Sequence, residues 1–369
     1  MNVLFLDQYS DLGGAQQVLL ELLPAIRDRG WRAVVGLPGN GKLIDLARGL
    51  GVDVELVDCW PNKSGRKLAD VGRFLTHSLR LSEDIRKLAE RLAPDLVYLN
   101  GPRFAPAAAL AGLSCPVLFH SHSWLPPDRS RAATGLALWW MNARVVANCK
   151  FVADQWRGYV RAERMLTILN GVPGPAEMPS RRWNGPLRIG CIGRIAPQKG
   201  QLEFVAAAAR IHESLPECRF VVCGEPMFGD SDRHGYAAEV RTAAAGLTIE
   251  FNGWVTDIYS ALADLDLVLV PSLGAEATTR VILEAYAAGV PVIAFDSGGI
   301  SEVVENGVTG VLTRSVEEMA RAAVALLAGD PQRRLSMARA ARTEWERRFT
   351  REKFHEQLLA AMEEWARRR

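Results

Sequence analysis

Two cations lie in a glycine-bearing turn between an apolar run and a helical segment. In IGCIGRIAPQKG, residues 189–200, Arg194 and Lys199 follow a strand that ends at Gly193 and precede the helical pattern LEFVAAAARI. Glycine lets a ligand approach the backbone, and the start of a helix offers free N–H groups and a partial positive charge. With two basic side chains added, these features are typical of a diphosphate site. The alternative is that both cations are ordinary exposed turn residues.

Two carboxylates, Glu276 and Glu284, stand at the two ends of the stretch EATTRVILE. Glu276 follows the apolar run DLVLV, and Glu284 lies in a helix that Thr278 or Thr279 can cap. Ligands of open α/β sheets bind beyond the carboxyl ends of the strands, so Glu276 is expected there. Were the intervening residues helical, the carboxylates would be ~12 Å apart along the axis. This separation suits hydroxyl groups at the two ends of a nucleoside diphosphate. For Glu284, the alternative of a surface helix residue is weakened by its apolar neighbours.

Two histidines and two aspartates raise the question of a metal. HSHSW closes the run PVLFH, and strand alternation would place His120 and His122 on one face if the strand continued. A zinc site would need a third ligand that no spacing offers. The simplest alternative is that His120 packs structurally and only His122 is functional. Asp264 and Asp266 form a D-x-D pattern at the entrance of a strand, and we interpret them as turn residues. No metal site is predicted.

Length and composition indicate a soluble two-domain protein. The chain has 369 residues, 49% of them hydrophobic and 23% charged, with a net charge of +2 that does not suggest nucleic acid as a partner. The six cysteines are scattered without a CxxC pair, which favours a reducing cytoplasm. The sequence shows neither a signal peptide nor a run approaching the ~20 apolar residues of a membrane span. Any membrane contact is therefore expected to be peripheral.

Basic residues outnumber acidic ones between Pro61 and Leu92. This segment could contact anionic lipid, so the inner face of the cell membrane is a possible location. Trp139, Trp140 and Arg144 could join such a surface. The alternative is a solvated helix face. Eight basic residues face four acids in this segment: Lys63, Arg66, Lys67, Arg73, Arg80, Arg86, Lys87 and Arg91.

Short apolar runs alternate with helical patterns along the whole chain, which predicts doubly wound parallel sheets. The first series of runs covers residues 3–6, 33–36, 52–57, 95–99, 116–120, 144–148 and 166–169. The second series covers residues 187–192, 219–223, 248–253, 266–270, 291–295 and 310–312. Two similar α/β lobes are therefore expected.

The segment NGVPGPAEMPSRRWNGP, rich in proline and glycine, predicts the connection between the lobes. We predict a first α/β domain at residues 1–170, a linker at 171–186, a second α/β domain at 187–345 and a C-terminal helix at 346–369. The tail from Pro331 reads as helical throughout. Its apolar face needs a surface to cover, and carries Phe354, Leu358, Ala361 and Trp365.

Several motifs taken together resemble the retaining GT4-type glycosyltransferases of the GT-B fold. They are GGAQQVLLELLPAIRDRGWRAVV, GRIAPQKG, FNGWV, the E-x7-E pair followed by AYAAGVPVIAFDSGGISEVVENGVTGVL, and the helical tail. The resemblance covers nearly the whole chain and is strongest over residues 266–312. It implies two Rossmann-like domains facing across a cleft, an acceptor-side domain at residues 1–170 and a nucleotide-sugar-binding domain at 187–345, with the C-terminal helix returning to the first domain.

The resemblance also implies roles for individual side chains. Arg194 and Lys199 should hold the diphosphate of a nucleotide-sugar donor. Glu284 should bind the nucleotide ribose, and Glu276 should contact hydroxyls of the transferred sugar. The family places a histidine just beyond the strand that starts at Pro116, and His122 fits that place, near the reacting carbon.

Glycines and small residues complete the implied site. The loop from Gly253 to Val255 and Glu225 should line the base pocket, while Gly13 and Gly14 should form a tight turn that lets backbone amides approach phosphate and acceptor. Where many relatives have Gly-Phe-Gly after the first glutamate, this chain has Ala277-Thr278-Thr279. The hydroxyl residues can still present amides to the sugar and phosphate, and the change leaves the identity of the donor open.

The function implied is transfer of a hexose-type sugar from a UDP- or GDP-linked donor to the hydroxyl of a sugar or a lipid-linked acceptor, as in bacterial surface glycan or glycolipid assembly. No cofactor or metal is expected, because Arg194, Lys199 and helix dipoles would neutralise the leaving group. A sugar-nucleotide epimerase or hydrolase of the same fold and a non-catalytic nucleotide-sugar-binding protein remain alternatives. A nicotinamide-dependent dehydrogenase is disfavoured, because the first strand runs into DQYSDLGGAQQ without the G-x-G-x-x-G spacing.

Overall fold

The structure is a computed structural model that describes residues 1–57, 68–179, 186–226 and 231–367. The chain forms two compact units. The first contains Met1–Leu169 together with Phe354–Arg369, and the second contains Asn170–Lys353.

All of the predicted strands are present among the described residues, with ends that differ by no more than two residues. The first unit has β1 (Asn2–Asp7), β2 (Arg32–Leu37), β3 (Asp53–Leu56), β4 (Leu96–Asn100), β5 (Val117–Ser121), β6 (Arg144–Ala147) and β7 (Met165–Thr167). The second has β8 (Arg188–Ile192), β9 (Arg219–Cys223), β10 (Ile249–Phe251), β11 (Leu267–Val270), β12 (Val292–Phe295) and β13 (Val311–Thr313).

Helices separate nearly all of these strands. They are α1 (Gly14–Asp28), α2 (Lys42–Gly49), α3 (Leu68–Leu92), α4 (Ala105–Leu110), α5 (Arg129–Trp140), α6 (Lys150–Asp154), α7 (Gln201–Ser214), α8 (Ser231–Ala243), α9 (Ile258–Ala263), α10 (Arg280–Ala288), α11 (Val316–Leu327), α12 (Pro331–Glu344) and α13 (Arg351–Arg367).

Both sheets are parallel and doubly wound, as predicted. The strand order of the first unit is β3-β2-β1-β4-β5-β6-β7, and that of the second is β10-β9-β8-β11-β12-β13. In each sheet the order reverses between two central strands, which are β1 and β4 in the first unit and β8 and β11 in the second. Loops diverge at such a switch point and leave room for a ligand beyond the carboxyl ends of the strands.

Local sequence signals explain where several helices begin. The Asp128 side chain accepts hydrogen bonds from the first-turn amides of α5, Asp257 does the same for α9, and Ser315 does so for α11. Asp330 caps α12, with Pro331 as the first helical residue. These short side chains satisfy amides that have no partner inside the helix.

Alternate residues of the first sheet are buried on opposite faces. Val3 and Phe5 of β1 pack with side chains of α1, α2 and α13, whereas Leu4 and Leu6 pack with side chains of α3, α4 and α5. Covering both faces explains why the strands read as continuous apolar runs. In the second unit, β8, β9 and β11 share a core with α7, α8 and α11.

The apolar face of α13 lies in the core of the first unit, where Phe354 and Trp365 are buried. Arg144 Nη1 donates to the carbonyl oxygen of Trp365 at 2.6 Å, and the guanidinium lies 5.5 Å from the centre of that ring. Arg144 is therefore buried, and the expectation that it joins a membrane-facing surface is wrong. Trp139 and Trp140, by contrast, are exposed.

The expectation of a continuous helical tail from Pro331 is also wrong. After α12 the chain forms a π-helical turn, Trp345–Phe349, and Thr350 is extended before α13 begins. The cause is backbone pairing with the preceding connection, because Val172 N donates to Phe349 O at 2.9 Å and Arg351 N donates to Val172 O at 3.1 Å.

The basic segment is only partly described. Within α3, Arg86 and Lys87 form ion pairs with Glu83, and Arg91 forms one with Glu55 of β3. These pairs favour a solvated helix face for this part of the segment. In the described part of the chain, we find no helix with the length and apolarity to cross a membrane. The remaining basic residues with undescribed side chains are Lys63, Arg66, Lys67 and Arg73.

Candidate functional site

Three loops meet in the second unit at the carboxyl ends of β8, β11 and β12. Leu273 N donates to Gln198 O at 2.9 Å, which joins the loop after β11 to the loop after β8. Gly299 N donates to Glu276 O at 2.9 Å, which joins it to the loop after β12. The three loops therefore lie at the switch point of this sheet, where a ligand site is expected.

Lys199 and Glu276 form an ion pair across two of these loops. Lys199 Nζ lies 2.7 Å from Glu276 Oε2, and the side chains are 22% and 16% exposed. The next residue, Gly200, has a φ of +72° and packs so closely on Pro271 that a Cβ would overlap its carbonyl oxygen. The backbone beside Lys199 is thus anchored to the loop after β11. An ammonium group has three donors, so pairing with one carboxylate oxygen leaves two that can reach an anion.

The loop after β12 holds the backbone of Glu276 from the other side. Gly298 has a φ of +57°, and a Cβ there would overlap the backbone of Glu276. Ser297 Oγ donates to the carbonyl oxygen of Gly274 in the same loop. Glu276 is therefore fixed by its own backbone as well as by Lys199.

Helix α10 begins close after Glu276, at Arg280. Thr279 is the N-cap residue, but its side chain makes no capping hydrogen bond, and Thr278 precedes the cap. The predicted position of the cap is confirmed at Thr279, but its buried hydroxyl does not bond to a first-turn amide. Residues 276–279 are not helical, so the ~12 Å separation calculated for a continuous helix does not apply. The first amides of α10 thus lack a side-chain cap.

Glu284 lies within α10 and is not a freely exposed surface residue. Its Oε1 atom is 3.4 Å from Arg280 Nε, and both side chains are 15% exposed. An i,i+4 pair of this kind restrains the carboxylate on one side of the helix.

Glu225 and Gly253, predicted for the base pocket, are neighbours at the ends of the paired strands β9 and β10. Gly253 has a φ of +64°, and a Cβ there would lie 2.9 Å from Glu225 Oε1. Val255 follows in the same loop and is half-buried.

Arg194 is half-buried in the loop after β8, and buried Gln201 shapes that loop. The Gln201 side chain donates to Arg194 O at 3.0 Å and accepts from Ala196 N at 3.2 Å. Ile195 N donates to Glu225 O at 3.1 Å. The loops that carry Arg194, Lys199, Glu225 and Glu276 are therefore linked to one another.

In the first unit, His122 follows β5 and belongs to a polar cluster at the switch point. His122 Nε2 lies 2.6 Å from Asn100 Oδ1, and Asn100 Nδ2 donates to Asp7 Oδ2. Burial raises the pKa of the Asp7 carboxyl to about 6, against the lowering effect of hydrogen bonds from Asn100, Tyr9 and Gln16. Asp7 is therefore mostly ionised at pH 7 and more completely so at pH 8.

His120 and His122 lie side by side, as strand alternation predicts, with ring centres 3.8 Å apart. His120 is fully buried, is hydrogen-bonded through Nδ1 to the Tyr98 hydroxyl and stacks on Phe354. Burial, with a smaller contribution from His122, holds the pKa of His120 well below its usual value.

This lowered pKa predicts an acid-sensitive contribution to stability. His120 stays neutral in the folded chain but takes up a proton near pH 6.5 in the unfolded chain, so its contribution is lost as the pH falls below that value. His120→Gln removes this linkage. We expect the stability advantage of the wild type over the variant to shrink as the pH is lowered from 7 to 5 in urea unfolding. Asp7 is present in both proteins and cancels; a constant difference would contradict the prediction.

Gly13 and Gly14 do not form the predicted tight turn. Gly13 is the N-cap residue of α1 with a φ of −132°, and Gly14 is the first helical residue. The prediction is wrong because the chain enters the helix directly from an extended conformation. A Cβ at Gly13 would instead lie 2.9 Å from Gln16 Oε1, and Gln16 Nε2 donates to Asp7.

Asp264 and Asp266 lie at the amino end of β11, as expected. Asp266 Oδ2 accepts from Arg188 N at 2.9 Å, and Asp264 ends α9. Among the side chains that the structure describes, no three of His, Cys, Asp or Glu are grouped to hold a metal ion.

Each unit matches a known glycosyltransferase domain. Residues 12–173 match the domain described as Glycosyltransferase Family 4, and residues 186–329 match the one described as Glycosyl transferases group 1. The two matches account for most of the chain, and homologues carry glycosyltransferase names. The chain belongs to the GT4-type glycosyltransferases.

The curated relatives align with this chain over only part of their own length. A D-inositol 3-phosphate glycosyltransferase from Salinispora tropica is 32% identical over 202 residues, which is 52% of this chain and 39% of the relative. A GDP-mannose-dependent alpha-(1-6)-phosphatidylinositol monomannoside mannosyltransferase from Mycobacterium tuberculosis is 34% identical over 166 residues, 42% of this chain and 41% of the relative. The chain thus spans about two fifths of the length of these two relatives.

Solved structures match over the whole chain and show the GT-B fold. HepE of Anabaena in complex with UDP has a TM-score of 0.82 and 26% identity, covering 99% of this chain and 100% of HepE. HepE has also been solved with UDP-glucose, at the same TM-score. Sucrose-phosphate synthase from Thermosynechococcus elongatus, at 17% identity and a TM-score of 0.79 over 99% of both chains, shares the fold.

The structure adds site residues that sequence reasoning missed. Asp7 and Asn100 are the polar residues that end the apolar runs of β1 and β4, so this signal was available. Gln201 and Gly298 carried no such signal, because their importance depends on the loops that they contact.

Proposed function

We propose that this protein is a retaining glycosyltransferase that moves a hexose-type unit from a UDP- or GDP-linked sugar to an acceptor hydroxyl. The observation that carries the proposal is the Lys199–Glu276 pair, a cation and a hydrogen-bond acceptor held side by side at the switch point of the second unit. The similarity to HepE, which binds UDP and UDP-glucose, supports the choice of a nucleotide-sugar donor.

The diphosphate would lie against Lys199, Arg194 and the uncapped amides of α10. Negative charge grows on the leaving diphosphate as its bond to the sugar breaks, and fixed cations stabilise that charge without reorganisation. These groups would supply the charge that a metal ion supplies in other transferases.

The two carboxylates would act as hydrogen-bond acceptors. Glu276, fixed by Lys199 and by the loop after β12, would orient hydroxyls of the transferred sugar. Glu284 would bind the ribose, and Glu225 and Gly253 would lie near the base. The anomeric configuration of the transferred sugar would be retained, as in the family's usual account. In that account the acceptor attacks on the face that the diphosphate leaves, and a phosphate oxygen takes the proton of the acceptor hydroxyl.

A thermal-shift screen of UDP, GDP and their sugars tests the donor site. A ligand at about 100 times its Kd stabilises the folded protein by about 2.7 kcal/mol, which raises Tm by a few degrees in a protein of this size. We expect one nucleotide to produce this shift, and its loss in Lys199→Ala. The absence of a shift with every nucleotide would contradict the donor site.

Product analysis with labelled UDP- and GDP-sugars, with and without lipid acceptors in vesicles, tests the reaction. Label in a glycolipid or glycan supports transfer in surface glycan or glycolipid assembly. Free sugar as the only product would indicate a hydrolase, and a donor with an altered sugar would indicate an epimerase. A donor that stays unchanged would indicate a binding protein.

Sedimentation with anionic vesicles at low salt tests the proposed peripheral membrane contact, which an absence of binding would contradict.

A further inference from the structure

Polar side chains end three adjacent strands of the first sheet. Asp7 ends β1, Asn100 ends β4, and His122 follows β5 by one residue; in the sheet these strands lie in the order β1-β4-β5. Asp7 and Asn100 are directly paired in register. Both are buried, whereas His122 is half-buried. The parallel sheet thus brings a carboxylate, an amide and an imidazole into one row.

The partners of Asn100 determine which way its amide points. Its Nδ2 donates to Asp7 Oδ2 and, at 3.2 Å, to the carbonyl oxygen of Ala15. An ionised carboxylate and a carbonyl only accept, so the NH2 group must face them. The amide oxygen therefore faces His122 Nε2, at 2.6 Å. Because that oxygen can only accept, Nε2 must carry a proton.

The direction of this chain of hydrogen bonds is set at Asp7. Tyr9 N and Gln16 Nε2 donate to Asp7 Oδ1 at 2.9 and 2.8 Å, Gln8 N also donates to this carboxylate, and Asn100 Nδ2 donates to Oδ2. A buried carboxylate with several donors is held in a single orientation. Asn100 and His122 then follow from it.

We propose that Asp7 is a positioning residue, which acts through the amide of Asn100 to hold the His122 ring with its proton on Nε2. In the neutral ring, Nδ1 is then an acceptor. The effect of this arrangement on turnover rests on the proposed function, with His122 near the reacting carbon of the donor sugar, whereas the arrangement itself does not.

Asp7→Asn should reverse the donor-to-acceptor direction of this chain of hydrogen bonds. The donors Tyr9 N and Gln16 Nε2 would hold the oxygen of the new amide, so its NH2 group would face Asn100. Two NH2 groups cannot pair, so Asn100 would turn its oxygen toward residue 7 and its NH2 group toward His122, and would lose its hydrogen bond to the carbonyl oxygen of Ala15. His122 Nε2 would then accept, and the proton would move to Nδ1.

Nitrogen-15 NMR of the full-length protein labelled at histidine, at about pH 8 where Asp7 is ionised, reads the tautomer directly, with His122→Gln assigning the signal. We expect the Nε2–H form in the wild type and the Nδ1–H form in Asp7→Asn. A free imidazole prefers Nε2–H, so mere loosening of the structure would not produce the switch. Gln16→Leu is the matched control, because it removes a donor to Asp7 without reversing the chain, and its tautomer should match the wild type.

Kinetics then separate this inference from the proposed function. We expect Asp7→Asn to lower kcat about 10- to 100-fold with little change in KM, and to have no further effect in a His122→Ala background. An unchanged tautomer in Asp7→Asn would overturn the positioning role. A switched tautomer with unchanged kcat would uphold the positioning role and overturn the catalytic use of His122. An equal loss of kcat in the His122→Ala background would show that Asp7 acts by another route and overturn the proposal.

Discussion

Lys199→Ala is expected to lower kcat/KM for the nucleotide-sugar donor by about 10²- to 10³-fold, with the fold intact. In the proposed function, the variant lacks a fixed charge that would stabilise the leaving diphosphate, which is the reason for the expected loss. The loop itself should remain in place, because Gly200 packs on Pro271 and Gln198 O accepts from Leu273 N independently of the lysine side chain. Steady-state kinetics and circular dichroism measure the two effects separately.

Arg210→Ala is the matched control for Lys199→Ala. Arg210 lies on α7, the helix that follows the Lys199 loop, and pairs with Glu317 at 2.7 Å, but both side chains are about half exposed. Its removal should change kcat/KM less than twofold and stability by at most about 1 kcal/mol. Wild-type turnover in Lys199→Ala would remove the diphosphate assignment. Equal losses in both variants would indicate a general effect of lost charge.

Gly298→Ala is expected to lower kcat about 100-fold, because a misplacement of about 1 Å at a reacting group costs that much. A Cβ at Gly298 would overlap the backbone of Glu276, so the loop that carries this carboxylate must shift. The hydrogen bond from Gly299 N to Glu276 O would be disturbed as well. Kinetics with a saturating donor, together with denaturant unfolding, measure both consequences.

Gly307→Ala separates this clash from backbone strain. Gly307 also has a positive φ, +81°, but a Cβ there meets no atom within 4 Å. Both variants carry the cost of an L-residue in the left-handed region, about 1–2 kcal/mol, whereas only Gly298→Ala should lose activity. If the two variants had the same kcat, the loop after β12 would not be what positions Glu276.

The strands and the loops that carry the site follow from the sequence alone. Apolar runs of strand length separated by helical patterns predict two doubly wound sheets, and the end of each run marks the loop in which ligand groups lie. Arg194, Lys199 and Glu276 were predicted in this way. Such signals are local, because they depend on the periodicity of a strand or helix and on the residue type that ends it.

Only the tertiary structure decided which side chains pair with one another. Lys199 meets Glu276, and Asp7 meets Asn100, because strand order and register bring distant loops together. Burial of Arg144 beneath Trp365 likewise depends on where α13 packs. A side chain finds its partner through contacts between residues far apart in the chain, and periodicity carries no information about them.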